Sequence, residues 1–317
     1  MSPCLATRAV RHADKRRPLQ NPNLTSKWYW STPQKLCLSA SYSQPVIVML
    51  ITENQPDRIQ RLEQRMFEYY NRNTDYSPYV KESRCVELWE QVLVEARRIC
   101  DRQGKCRVLE IGSGRSGFGR YISNEWKRDR TQVHYTAQDV SPANKEWLKT
   151  QADDVIIDNP LSIQGQFDVI FHSFVLEHIA QPRTFLEHAF SLLSAGGSHV
   201  FSCPNFSLPF YGPPSIRHFN PMRRLEFHMM NAKRLLFRQP KFPLIEEPAI
   251  FSLPFKRDRD AIHCVSPHDI TSLFADRAHF RRFTVQGHSA KDRFIKRFAT
   301  IHLVMQKLPP VDTRTID

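Results

Sequence analysis

RVLEIGSGRSGFGRYI, residues 107–122, reads as a strand, a glycine loop and the start of a helix. Gly112, Gly114 and Gly117 stand where backbone has to turn tightly and approach a ligand with no Cβ in the way. The helix that follows offers oriented N–H groups and a partial positive charge in its first turn. A Gly-x-Gly-x-x-Gly spacing says little alone. It gains meaning between a strand and a helix, the setting it has here.

Acidic residues frame the loop. Asp139 lies 22 residues beyond Gly117, at the end of the next candidate strand. A carboxylate there can accept both hydroxyls of a ribose. That much fits a dinucleotide as well. Glu110, just before the loop, would repel a pyrophosphate and suits a cofactor that carries an ammonium group. Asp158-Asn159 adds polar groups at the end of a third strand, within reach of an adenine amino group.

Working outward, the chain alternates between short apolar runs and helical patterns from Cys106 onward. Strands are expected at 106–111, 133–138, 154–157, 167–172 and 199–203, with helices at 116–127, 142–150 and 182–194. Gly196-Gly197 is expected to stop the last of these helices. Such alternation implies a parallel sheet covered on both faces. A helix at 267–277 and strands at 282–288 and 299–305 complete the pattern. Before the sheet, apolar residues recur at helical steps over 55–70 and 84–102. Residues 205–262 break the rhythm, holding eight of the 22 prolines, and read as an insertion.

VLEIGSG, Asp139, Asp158, FDVIFHSFVLEHI and FLEHAFSLLSAGGSHVFSCPN follow in the order of the motifs of class I S-adenosylmethionine-dependent methyltransferases, which residues 83–306 resemble. The likeness is to the small-molecule, type 11-like group. It implies a Rossmann-like three-layer α/β/α sandwich: a seven-stranded, mostly parallel sheet with its last strand antiparallel. It implies S-adenosyl-L-methionine as cofactor. Glu110, Gly112, Ser113 and Gly114 would meet the amino-acid part, Asp139 the ribose, Asp158 and Asn159 the adenine. His172 and Ser173 would lie near the sulfonium. Many members carry glycine where Ser116 stands; here a glycine follows one place later.

Methyl transfer is an in-line displacement, so the protein has mainly to align the nucleophile and exclude water. A hydroxyl acceptor gains from a base, and His178 in LEHI is the candidate. The insertion 205–262 is expected to act as a lid, with Arg217 and His218 as acceptor-binding residues. The expected reaction is methylation, on oxygen, of a small-molecule or glycan-like acceptor. A non-catalytic cofactor-binding protein of the same fold is the alternative, and an RNA methyltransferase a weaker one. Nucleic acid is disfavoured as substrate because the fourth strand ends in His172-Ser173-Phe174 rather than Asn/Asp-Pro-Pro-aromatic.

The composition sets the frame. A 41% hydrophobic share over 317 residues supports a sizeable core. The formal charge of +13 favours anionic partners without choosing one. Seven cysteines without a paired CxxC point away from zinc and from a disulfide framework, and no metal site is expected. No apolar run is long enough to span a bilayer. Residues 1–48 carry seven Lys/Arg and one acid, Asp14, and are expected to be a disordered leader. The expected location is cytoplasmic, with an organellar transit peptide in 1–48 as the other option. Residues 49–104 are expected to form a helical cap and 105–317 the core.

Overall fold

The structure, a computed structural model, describes residues 56–72, 86–208, 211–213, 216, 220–237, 242, 262–287 and 289–309. All of them lie in one compact unit, Val46–Asp317. The leader 1–48 falls outside the described residues.

Seven strands form one sheet: β1 (Cys106–Ile111), β2 (Val133–Asp139), β3 (Asp154–Ile157), β4 (Phe167–Ser173), β5 (Leu193–Pro204), β6 (Ala278–Arg282) and β7 (Thr300–Lys307). Their order is β3-β2-β1-β4-β5-β7-β6. β1 to β5 run parallel, and β7 alone is antiparallel, to β5 on one side and β6 on the other. The expected seven-stranded sandwich is therefore the observed one. β1 lies between β2 and β4, so the chain order reverses at β1. A crevice opens at such a reversal, beyond the carboxyl ends of the strands.

The strands are apolar on both faces because helices cover both. Over one face lie α2 (Val86–Gln103) and α3 (Phe118–Glu125), packing Trp89, Phe118 and Ile122 on Val108, Tyr135, Val169 and Phe171. Phe118 meets Tyr135 and Phe171 edge-on, at ring separations of 5.2 and 4.6 Å. Burying one such ring stabilises the fold by about 2–3 kcal/mol. Over the other face lie α5 (Pro182–Leu192) and α7 (Pro267–Leu273), where Phe185, Phe190, Ile270 and Phe274 pack on Leu109, Ile170 and Phe201. Between β2 and β3 stands the short α4 (Lys145–Lys149).

Buried charge at the amino ends of the strands is fully paired. Glu95 of α2 accepts from Ser198 of β5 at 2.7 Å, from Arg98 at 3.0 Å and from Arg281 of β6. Burial pushes its carboxyl up, but these three partners together hold it below its ordinary value. Asp168 accepts from the Arg107 N–H and the Ser194 hydroxyl, tying β4 to β1 and β5.

Three expectations shift. Gly196-Gly197 does not stop the helix: α5 ends at Leu192 and β5 already pairs at Leu193, opposite Phe167. The glycines lie in an irregularity that shifts the register before Ser198 pairs with Val169. Gly196 has φ +71°, and a Cβ on Gly197 would come within 2.9 Å of the Asp168 carbonyl. β6 runs over 278–282 rather than 282–288, because Ala278 N–H bonds back to Phe274 and starts the strand directly after the turn. The insertion contains a helix that its prolines hide, α6 (Pro221–Phe237), whose Phe227 packs with Phe206, Ile216 and Cys264.

Gly119 lies inside α3, where a Cβ would sit on the Gln151 carbonyl oxygen, well inside van der Waals contact. Alanine is the better helix former by about 1 kcal/mol, yet Gly119→Ala is expected to destabilise the protein by about 1–3 kcal/mol through overpacking. Urea unfolding reads this as a lower midpoint at unchanged slope. A midpoint equal to or above that of the parent protein would contradict this packing.

Candidate donor and acceptor sites at the carboxyl edge

At the end of β1 the chain turns through Gly112 (φ +66°) and Gly114 (φ +55°), conformations that L side chains rarely adopt. β2 holds this loop by its backbone. Gln138, fully buried, accepts from Gly112 N–H on its side-chain oxygen (3.1 Å) and from Ser113 N–H on its carbonyl (2.8 Å), and its side-chain NH2 donates to the Asp158 carbonyl. Asp139 accepts from Gly114 N–H at 2.7 Å on one oxygen, and from Ser141 N–H (2.7 Å) and the Asn144 amide (3.3 Å) on the other. A Cβ on Gly114 would meet nothing within 4 Å, so the loop faces open space there.

Ser116 keeps the loop regular without a glycine. Its backbone does not enter the left-handed region. Its hydroxyl accepts from Phe118 N–H at 3.2 Å, covering an unpaired donor of α3, and its carbonyl accepts from the Trp147 indole. Gly117 has φ −99° and is not conformationally required.

Glu110 is buried beneath the loop. Its carboxylate accepts from the Tyr135 hydroxyl, and its carbonyl accepts from Ser113 Oγ at 3.2 Å. Burial pushes its carboxyl up to about 7, against the opposing pull of the Tyr135, Ser116 and Ser113 hydroxyls. Burial also raises Asp139, again against its hydrogen bonds. Glu95, by contrast, has two arginines among the partners that hold its charge. Asp158 and Asn159 are exposed at the end of β3. Asp158 accepts from Asn159 N–H, and the Asn159 side chain caps the next turn through Leu161 N–H.

The end of β4 divides the predicted residues. Ser173 stands at the open end of the strand, beside Ser202 of β5. The His172 ring does not reach that opening. It is buried on the α5 side, 5.1 Å from both the His199 and Phe201 rings and 5.7 Å from Phe185. Strand alternation explains the correction: His172 points opposite to Phe171 and Ser173. Burial, then the neighbouring His199, pushes its pKa well down, and burial pushes His199 down to about 3. Both rings are neutral core residues.

After Ser173 the backbone takes a left-handed turn at Phe174 (φ +55°), whose N–H donates to the Ser202 carbonyl at 2.7 Å. Strain of this kind costs about 1–3 kcal/mol and gathers at functional sites. The turn brings Val175 onto the glycine loop, where a Cβ on Gly112 would come within 2.6 Å of Val175 Cγ2. His178 follows in a 3-10 turn, Leu176–His178. Its Nε2 lies 3.7 Å from Oε1 of the buried Glu177, and its ring meets Tyr70 of α1 (Pro56–Arg72) edge-on at 6.4 Å. α1 is tied there by Gln181 donating to Glu63 at 2.8 Å. Both Ile262 and His263 N–H donate to the Glu177 carbonyl, anchoring the far end of the insertion beside His178. Arg217 and His218 lie outside the described residues. Among the described residues no cluster has a metal-ligand composition, and no helix is long and apolar enough to cross a membrane.

Gln138, Tyr135 and Phe174 escaped the sequence reading. Gln138 had a usable signal, being an amide in a strand otherwise suited to full burial.

A family model described as a methyltransferase domain matches residues 52–278. No curated protein matches the chain. Among solved structures, the plantazolicin methyltransferase BpumL, in complex with a pentazolic desmethylPZN analogue and S-adenosylhomocysteine, is 13% identical, with a TM-score of 0.46 over 80% of this chain and 99% of that one. The N-methyltransferase NodS from Bradyrhizobium japonicum WM9, bound to S-adenosylhomocysteine, is 15% identical, with a TM-score of 0.43 over 78% and 97%. The CurJ carbon methyltransferase is 13% identical, with a TM-score of 0.41 over 68% and 54%.

The raised Glu110 carboxyl gives a pH test. Its pKa is 4.5 in a model peptide and about 7 in the fold, so the native state holds more protons than the unfolded state between these values. Ligand-free stability is therefore expected to fall as pH rises from about 4.5 through 7, by about 3 kcal/mol from this group. Glu110→Gln should remove that component, seen as a flatter dependence of unfolding free energy on pH. A variant with the parent protein's slope would show that Glu110 is ionised throughout.

Proposed function

The chain belongs to the methyltransferase-domain family and is an S-adenosylmethionine-dependent methyltransferase; from that premise we propose that it methylates oxygen on a small-molecule or glycan-like acceptor, with His178 as the base. When bound, S-adenosylmethionine supplies an electrophilic methyl group on a sulfonium. The residues at the carboxyl edge suit it. Glu110 offers a carboxylate to the ammonium, close to Gly112, Ser113 and Gly114. Asp139 offers acceptors to the ribose, Asp158 and Asn159 polar groups to the adenine, and Ser173 a position beside the reacting centre. The open space above Gly114 supports this assignment, since a side chain there would enter the cradle.

One observation carries the choice of oxygen: His178 follows the carboxyl end of β4 with the Glu177 carboxylate 3.7 Å from its Nε2. A hydroxyl is a weak nucleophile and gains from losing its proton as the new bond forms. An imidazole can take that proton, and a carboxylate behind it stabilises the imidazolium that results. The insertion 205–262 acts as the acceptor lid in this reading, with Arg217 and His218 on its acceptor wall. Its last residue, Ile262, donates from its N–H to the carbonyl of Glu177, the residue before His178.

His178→Gln is expected to lower kcat by about 10²–10⁴-fold, the usual range for a general base, with donor affinity unchanged. The measurement is S-adenosylhomocysteine release over an acceptor panel, alongside calorimetric donor binding. A kcat within about threefold of the parent protein on a hydroxyl acceptor would remove His178 from the base role. Turnover only of amine acceptors would remove the choice of oxygen.

A further inference from the structure

Two segments at the carboxyl edge expose large apolar side chains in a basic setting. The first is α6. Met222, Leu225, Met229 and Leu236 are 50–77% exposed and recur at steps of three, four and seven residues, which places them along one stripe of the helix. The second is the single turn α8 (Ala290–Phe294) with the wide turn Ile295–Ala299 that continues it. Phe294 and Phe298 are 54% and 45% exposed there, with ring centroids 5.1 Å apart. Each segment carries more exposed Lys/Arg than acid: Arg224 and Lys233 with the half-buried Arg223 against Glu226, and Lys291, Arg293 and Arg297 against Asp292, while Lys296 is largely buried and paired with Glu87 and Asp292.

The two are anchored at neighbouring residues. Asn205, next after β5, donates from its side chain to the Phe298 carbonyl (2.9 Å) and from its N–H to Ala299. Phe206, the next residue, accepts at its carbonyl from the Asn231 side chain of α6 (3.2 Å). Both apolar–basic segments therefore spring from one point on the edge of the sheet where the donor loop and His178 also lie.

We propose that this edge docks on an anionic lipid surface, with the Met222–Leu236 stripe and the Phe294–Phe298 pair entering the headgroup region and the exposed cations of both segments meeting lipid phosphates. The charge selects this occupant. A second copy of the chain would bring an equally basic segment against each of these, whereas an anionic bilayer offers an apolar layer under negative charge. Helices with long apolar side chains on one face and Lys/Arg beside them bind such surfaces in proportion to both components. The inference stands apart from the identity of the acceptor.

The test uses the full chain and vesicles of phosphatidylcholine with and without 30 mol% phosphatidylglycerol, read by cosedimentation. Binding is expected to require phosphatidylglycerol and to weaken in high salt. Leu225→Ser with Met229→Ser, and separately Phe294→Ser with Phe298→Ser, should each lower the partition coefficient by about tenfold or more. Thermal unfolding and donor binding equal to the parent protein show that these variants fold. Should either pair prove unstable, Lys291→Gln with Arg297→Gln tests the electrostatic part by itself. Three results would overturn the proposal: no binding to anionic vesicles at low salt, equal binding by folded variants of both segments, or an oligomer in light scattering that the same substitutions dissociate.

Discussion

Two adjacent side chains at the end of β2 hold the glycine loop in shape. The loop has no regular structure of its own, so its N–H groups need partners elsewhere. Gln138 takes Gly112 N–H on its side chain and Ser113 N–H on its carbonyl, and Asp139 takes Gly114 N–H. Parallel pairing of β1 and β2 fixes which residues can do this. Ile111 pairs with Gln138, so the residues after Ile111 pass directly over the end of β2. The sheet register thus sets the loop, and with it the candidate cofactor cradle.

From the other side the loop is pressed by β4. The left-handed turn at Phe174 directs Val175 onto Gly112. Gly112 is then required twice, for its positive φ and for the close approach. The strain at Phe174 is sustained by the Ser202 hydrogen bond and by a buried β4. The same turn leads into Leu176–His178, so that five residues join the glycine loop's contact with β4 to the proposed base.

The sequence made the donor half legible because strand periodicity and glycine conformational demands act locally. The positions of the five parallel strands along the chain, the loop after Glu110 and the acid ending β2 all follow from such patterns. Where it failed, the deciding partner was distant in sequence. Gly196-Gly197 resembles a helix stop, yet serves a strand irregularity packed on Asp168. His172 ends a strand like a site residue, yet its parity turns it into the core against His199 and Phe201. α6 was hidden by the prolines on either side of it. Ser116, set against the family's usual glycine, proves compatible because its backbone stays out of the left-handed region.

Buried carboxylates separate structure from function across the sheet. Glu95, at the amino edge, is surrounded by Ser198, Arg98 and Arg281, and its charge is held. Removing such a group breaks a closed network and costs stability alone. Glu110 and Asp139, at the carboxyl edge, are as deeply buried but raised, because hydroxyls and N–H groups do not outweigh their burial. An isolated fold gains nothing from leaving two carboxyls in that condition. A ligand that brings a positive charge to Glu110 changes the balance, since it stabilises the ionised form in a site where water is scarce. The polarity of the sheet, with closed charge at one edge and poised charge at the other, is what a reusable cofactor site requires.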